Sequence, residues 1–499
     1  MINEKGKNRE ERLLPRVLHS GFWASFLRVL QILLTGVKLI VLARVLSPAE
    51  FGIVGIALLT VDIMVTFSNT GFQSALINKK EDITSYLNTA WTVLIIRGAL
   101  LFCLIYLLAP AVQVFFGVSG AVWVVRAIGA GILLESWQNI GVIYFRKELR
   151  FDREFMFRFI STVVECSVTV TLALLIRNIW AYVFGYLAGY ITLLCGSYLI
   201  QPYRPHFEFD RKKAKELFSF GRWIFSSSIL IFIGIHGDDI FVGKILGAAM
   251  LGFYQMAYKI SNVPATQITH VISQVTFPAY SKMKENMARA RESVLRVLKF
   301  TTFLSFPIGA FIFIAAHDFT AVFLGDKWLP IVPTMQILAV YGITRAVNAC
   351  FGSFFQGIGK PEVITKVSLL YVCLLAIMIY PFSRLGGLEG VAWAVTLANI
   401  GDFAFMVAKF RSVAGGKIRE LARVLLPDMA AVTGICLLIV VCEKLFLSGA
   451  GEITRFSFCS VVGMFCYAIY GKKQISALMN IFRQKIDAKK IKNANEKDL

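Results

Sequence analysis

The sequence predicts an all-α polytopic membrane protein of about fourteen transmembrane helices. Three observations carry that expectation: long apolar blocks, basic loops at every second connection, and an internal repeat. Of the 499 residues, 57% are hydrophobic and 17% charged, and the mean hydropathy is +0.67. A soluble chain carries roughly 25% charged residues, so a soluble fold could not hide this much apolar surface.

The apolar blocks fall near residues 22–46, 51–78, 86–109, 119–145, 155–177, 179–200, 217–246, 248–278, 296–316, 329–356, 362–382, 388–410, 423–446 and 453–470. They run to about 20 residues or more, the length a helix needs to cross a hydrocarbon core of roughly 30 Å. The polar stretch before Phe22 leads into the first block with no A-x-A-like cleavage site, so an uncleaved first span is expected.

Lys and Arg cluster in the N-terminal tail, at Lys79 and Lys80, from Arg146 to Arg153, Arg204 to Lys215 and Lys282 to Arg296, at Lys360, from Lys409 to Arg423, and beyond Lys472. The intervening loops hold scattered cations such as Arg177, Lys327, Arg384 and Lys444. Only an even number of spans with both termini cytoplasmic satisfies the positive-inside rule. The net charge of +21 is dispersed among these loops, which points to the anionic inner leaflet and away from nucleic acid. The nine cysteines lie inside apolar blocks without CxxC or His clusters, so they read as small buried hydrophobes and no metal site is expected. No loop is long enough to fold separately, which places any function inside the bundle.

The repeat aligns VLARVLSPAEFGIVGIA (41–57) without gaps on FVGKILGAAMLGFYQMA (241–257). Leu46 matches Leu246, Ala49 matches Ala249, Gly52 matches Gly252, Ala57 matches Ala257, and Arg44 pairs with Lys244. Six spans separate the copies, so the halves run parallel about an axis along the membrane normal. The expected organisation is a cytoplasmic basic tail at 1–20, a first lobe at 21–200, a cytoplasmic linker at 201–216, a second lobe at 217–411, two further helices at 412–471 and a basic tail at 472–499.

Polar residues form stripes within the blocks. In the first span Arg28, Gln31, Thr35 and Lys38 share one helix face; the second repeats this with Asp62, Thr66, Asn69 and Gln73. The seventh holds Arg222 near its cytoplasmic end and His236, Asp238 and Asp239 in its outer third; the eighth carries Gln255, Lys259, Asn262, Thr266, His270 and Ser273. An ionised group at the bilayer centre costs at least about 2.5–3.5 kcal/mol. Stripes of this length therefore point to a water-filled cavity, the alternative being hydrogen bonding between helices. The repeat offset sets Asp238 at the place of Lys38, Asn262 at that of Asp62, and Lys259 one turn away. Lys38, Asp62, Asp238 and Lys259 are expected to surround the cavity and exchange partners, or else to form static ion pairs. Arg97 and Arg126 are expected to face the cavity or pair with Glu135, Arg158 to pair with Glu165, and Arg345 to share a face with Tyr341, Asn348 and Gly352.

The runs ARVLSPAEFGIVGIALL and GFQSALINKKEDIT, with VGKILGAAMLGFYQMAYKISNVP and FPAYSKMK in the second half, closely resemble oligosaccharide flippases of the multidrug/oligosaccharidyl-lipid/polysaccharide exporter superfamily. Within it the chain looks most like the lipopolysaccharide, colanic-acid and teichuronic-acid exporters, over roughly residues 15–415. The resemblance implies two six-helix lobes related by a pseudo-two-fold along the membrane normal, plus two C-terminal helices. It also implies a bacterial cytoplasmic membrane location and alternating access that carries an undecaprenyl-diphosphate-linked oligosaccharide from the inner to the outer leaflet. Arg28 and Arg222 lie in places broadly similar to the arginines that meet the diphosphate in peptidoglycan-precursor flippases. Substrate binding is thus expected of Arg28, Lys38, Arg222 and Lys259. Cavity or coupling roles are expected of Gln31, Asp62, Asn69, Gln73, His236, Asp238, Asp239, Gln255, Asn262 and Arg345. The last two helices would form a groove for the lipid tail or simply pack.

The expected partners are a lipid-linked oligosaccharide and anionic lipid, and polysaccharide polymerase or export proteins are compatible with them. No cofactor is expected beyond coupling to H⁺ or Na⁺. A small-molecule antiporter of the same superfamily is the alternative, but Arg28, Lys38, Arg222 and Lys259 favour an anionic cargo. An enzyme is disfavoured by the short outer loops and by the lack of GxGxxG after a strand, a P-loop, HExxH or GxSxG.

Overall fold

The computed structural model describes residues 26–472 except 70, 80–81, 149, 269–271, 273–275, 278 and 448; the expected basic tails apart from Lys472, together with Lys80, His270 and Ser273, lie outside the described residues. The described chain is helical and holds no strand. The helices are α1 (Phe26–Val45), α2 (Pro48–Phe67), α3 (Phe72–Asn78), α4 (Thr84–Phe116), α5 (Ala121–Ser136), α6 (Ile143–Lys147), α7 (Phe151–Ile176), α8 (Trp180–Ile200), α9 (Arg211–Ile245) and α10 (Ala248–Ser261). There follow α11 (Met287–Ile314), α12 (Ala316–Phe319), α13 (Val332–Gly357), α14 (Pro361–Ala414), α15 (Ile418–Phe446) and α16 (Glu452–Lys472). Ten helices among the described residues are long and apolar enough to cross a membrane. That criterion takes α14, with its 54 residues, as one, although Gly386 and Gly387 leave helical geometry and divide it between the two blocks seen in the sequence.

Local chemistry sets the ends. Ser47 caps α2 in a reciprocal box with Glu50, and Pro48 occupies the first turn, where its missing N–H leaves nothing unsatisfied. The Asp210 carboxylate accepts from the backbone N–H groups of Lys212 and Lys213 and starts α9. Gly117 closes α4 with φ 67°, a left-handed conformation that favours glycine.

Three blocks are not the single helices their composition suggests. The block at 51–78 breaks at Ser68–Gly71, where Gly71 has φ 65°. The block at 119–145 stops at Ser136 and continues through a 3₁₀ turn into α6. The block at 248–278 leaves α geometry after Ser261 and becomes a π-turn at Pro264–Ile268, because Pro264 has no N–H to give the α ladder.

The chain forms two compact units, Met1–Gln255 with Phe323–Lys327, and Met256–Val322 with Trp328–Leu499. The core of the first joins Val54, Ala57 and Val61 of α2 to Leu101 and Ile105 of α4, Val124, Val125 and Ile128 of α5, and Val183 of α8. Helices approach closely at small residues, as packing in lipid requires. A Cβ on Gly185 would come 1.8 Å from Thr169 Oγ1, and the Ser161 hydroxyl donates to the Gly189 carbonyl at 2.8 Å. The second unit is built on Phe351, Phe354 and Phe355 of α13 and Phe410 of α14, with the Phe354 and Phe410 rings T-shaped at 5.3 Å.

The linker between the sequence halves is strapped to α4. Tyr203 Oη donates to Asn88 Oδ1 at 2.5 Å, Asn88 Nδ2 donates to Glu208 at 3.0 Å, and the Glu208 N–H donates to the Thr92 hydroxyl at 3.1 Å. Phe207 packs against Trp91 and Trp137, with ring centroids at 5.1 and 6.2 Å. The Asn88 bond holds the Glu208 carboxyl below its usual range, and the bonds from Lys79 and Tyr86 do the same for Glu216.

Candidate functional site in the helical interior

In the first unit α1 presents its polar stripe to α7. Gln31 Nε2 donates to the Thr162 hydroxyl at 2.9 Å, and Lys38 makes an ion pair with Glu165. The Lys38 and Glu165 side chains are only 11% and 25% exposed, so the pair is shielded from solvent. The Lys38 ammonium also lies 5.7 Å from the centroid of the Tyr182 ring on α8. Tyr182, Tyr186 and Tyr190 recur every four residues there, with neighbouring rings 6.4 and 4.8 Å apart. Arg28 is exposed and makes no bond to another described residue.

A second cluster joins α2 to α9. The Asp62 carboxylate lies within electrostatic range of His236 and Asp239, and His236 Nδ1 is 3.5 Å from Asp239 Oδ2. Asp238 is buried and fully engaged: its Oδ2 accepts from the Tyr254 hydroxyl at 2.6 Å and its Oδ1 from the Asp239 N–H at 3.0 Å. Gln255 packs its amide against Gly55. Asn69 accepts from the Gly71 N–H at 3.0 Å and caps the turn after α2, while Gln73 is exposed on α3. Arg222 lies in α9, with its side chain outside the described residues.

In the second unit Arg345 donates to the Tyr258 hydroxyl at 2.7 Å, and Asn348 donates to Asp402 at 2.8 Å. Thr344 donates to Asn399 at 2.6 Å. Asn262 is buried, with its Oδ1 unpaired among the described residues. Lys259 is exposed one turn before it, and the expected face through Thr266 is rotated by the π-turn.

One expected pairing differs, and Arg97 and Arg126, expected to face the cavity or pair with Glu135, bond to backbone carbonyls. Glu165 takes Lys38, while Arg158 turns to Glu154 at 3.2 Å, the partner one turn away. Arg97 donates to Val65 and Ser68 and satisfies the carbonyls that α2 leaves open at its C-terminus. Arg126 donates to the Tyr106 carbonyl and lies over the Tyr106 and Trp123 rings.

Asp402 and Asp428 escaped the sequence reading. Their signal was plain, a lone carboxylate inside an apolar block. Asp428 accepts from Thr302 at 2.6 Å and from Tyr470 at 2.5 Å, tying α11, α15 and α16 together. Beside that tie, α11, α15 and α16 line an apolar recess of about 400 Å³ that includes Phe311, Ile439, Met464 and Tyr467.

Apolar helices of spanning length, with the Lys38–Glu165 ion pair sunk among them, define a multi-pass membrane protein. The fold is shared with lipid II flippase MurJ in an inward closed conformation (TM-score 0.69, 16% identity, 92% of this chain and 100% of that one). It is shared too with an inward-facing multidrug resistance MATE family transporter of the MOP superfamily (TM-score 0.59, 17% identity, 76% and 94%). Residues 41–333 match the polysaccharide biosynthesis protein family, and the chain belongs to it. Among curated relatives, teichuronic acid biosynthesis protein TuaB of Bacillus subtilis (strain 168) is 27% identical over 67% of this chain and 69% of its own. Lipopolysaccharide biosynthesis protein WzxC of Escherichia coli (strain K12) is 23% identical over 78% and 79%.

Proposed function

We propose that this protein is a flippase. It carries an undecaprenyl-diphosphate-linked oligosaccharide, the precursor of a surface polysaccharide, from the inner to the outer leaflet of a bacterial cytoplasmic membrane by alternating access, and it catalyses no covalent reaction. The observation that carries this reading is the shielded Lys38–Glu165 pair, with Gln31–Thr162 beside it, inside helices otherwise apolar enough to span a bilayer. A helix that only packs gains little from such groups, whereas a path for a polar cargo needs them. Family membership and the likeness to a lipid II flippase fold support the same conclusion.

In this reading Arg28, with no bond to another described residue, and Arg222 clasp the diphosphate, since a guanidinium stays charged and binds phosphate through two parallel bonds. Lys38 and Lys259 add positive potential. Asp62, His236 and Asp239 form the group that takes up H⁺ or Na⁺ from the gradient, and the recess between α11, α15 and α16 takes part of the lipid tail.

The test is a deletion strain in which undecaprenyl-diphosphate-linked oligosaccharide is assayed on each membrane face, with complementation by wild type, Arg28→Ala and Arg222→Ala. Precursor held on the cytoplasmic face, with both variants expressed but not rescuing, is the expected result. Normal arrival outside, in a strain with no redundant exporter, would overturn the flippase and favour small-molecule antiport.

A further inference from the structure

The repeat-related cations Arg44 and Lys244 occupy the ends of α1 and α9 that lie away from the Lys/Arg-rich loops, and each reaches a backbone carbonyl at the end of the third long helix of the opposite sequence half. Arg44 Nε donates to the Phe323 carbonyl at 2.9 Å, in the turn that follows α11 and α12. Lys244 Nζ donates to the Phe115 carbonyl at 2.5 Å, in the last turn of α4, and lies 4.6 Å from the Phe115 ring centroid. Glycines make room at both places. A Cβ on Gly325 would come 3.0 Å from the Arg44 guanidinium, and one on Gly243 would come 2.9 Å from the Phe116 ring. Lys327 reinforces the first contact by donating to the Arg44 and Leu46 carbonyls at 2.9 and 2.8 Å, where a cation also suits the C-terminal end of the α1 dipole.

Between these two contacts α2 and α10 cross with the same symmetry. A Cβ on Gly52 would come 1.8 Å from the Ala248 carbonyl oxygen, and one on Gly252 would come 2.0 Å from the Pro48 carbonyl oxygen. Pro48 and Ala248 are themselves repeat partners. The crossing is thus backbone against backbone. Beside it the Gln255 amide of α10 packs against Gly55 of α2.

We propose that Arg44 and Lys244 are a crossed pair of latches that hold the α2–α10 crossing shut as the outer gate of the transport path, and that both must let go for the path to open outward. Two features argue for a device that opens. Each latch includes an exposed side-chain donor to a backbone carbonyl, a class of contact that opens readily. Each also joins elements from different sequence halves, so separating the halves at this end breaks both latches together. The gate role rests on the flippase reading with this end outside.

The experiment is hydrogen–deuterium exchange on the purified full chain in nanodiscs, with transport scored separately in the complementation assay. Arg44→Ala should raise exchange about tenfold in 319–327, the scale of losing one charge-assisted hydrogen bond, and by a similar factor at the crossing, 49–57 and 248–257. Lys244→Ala should do the same for 112–118 and the same crossing. Arg44→Lys and Lys244→Arg, which keep a donating cation, should stay within about twofold of wild type. If each Ala variant loosens only its own contact segment while the crossing keeps wild-type exchange, the latches are local caps and the proposal fails. That outcome leaves the flippase standing, whereas normal precursor export without the protein removes the flippase and leaves the exchange result intact.

Discussion

Lys38 on α1 pairs with Glu165 on α7, a carboxylate of its own sequence half, and not with Asp62 or Asp238, which the repeat sets in related positions. Both members are largely removed from solvent, so either left alone is an uncompensated charge in an apolar bundle.

Glu165→Gln and Lys38→Met should each therefore destabilise the protein by about 3–5 kcal/mol, while the double variant Lys38→Met/Glu165→Leu regains most of that loss. Thermal unfolding of the purified protein in detergent checks both parts. Complementation should fail in all three variants. Rescue by the double variant would reduce the pair to a structural contact.

Gly52→Ala places a methyl against the Ala248 carbonyl and should cost about 1–3 kcal/mol, since backbone cannot move aside as a flexible side chain does. Gly36→Ala, with nothing within 4 Å of its Cβ, should be neutral or stabilise the helix by about 0.5–1 kcal/mol. Thermal stability by size-exclusion chromatography separates the two, and equal effects would remove the close crossing as the cause.

Asp428 holds the last helix through two hydroxyls, Thr302 and Tyr470. Asp428→Leu removes the carboxylate that accepts from both and should cost about 1–3 kcal/mol for the buried Thr302 donor alone, with Tyr470→Phe milder because Tyr470 is only half-buried. Protease protection of α16 is the direct measurement, and unchanged protection in Asp428→Leu would show that apolar packing alone docks this helix.

The strap at 201–216 should loosen in acid. Glu208, Asp210 and Glu216 are held below their ordinary values by the Asn88 amide, by the Lys213 and Lys212 backbone N–H groups, and by Lys79 and Tyr86 respectively. A depressed carboxylate stabilises the fold above its unfolded value and loses that contribution as pH falls through its folded value. The strap should therefore be intact from neutral pH down to about 4.5 and release progressively below it. A fluorophore at Phe207→Cys in a cysteine-depleted chain reads the release, and Asn88→Ala should move its midpoint upward.

The sequence by itself determined the membrane class, the apolar blocks and the family, because apolar content, block length and a local motif are properties of consecutive residues. ARVLSPAEFGIVGIA was legible as a repeat, and Lys38, Gln31 and Thr35 as one face of a helix. Only the tertiary structure decided which partner each charge takes. Lys38 reaches Glu165 across 127 positions, Asp238 meets Tyr254 and not a cation, and Arg97 closes the end of α2. The π-turn at Pro264 likewise rotated a stripe that helical spacing had drawn straight. Pairing between helices depends on rotation and depth in the packed bundle. Spacing along one helix says which residues share a face, and packing alone says what that face meets.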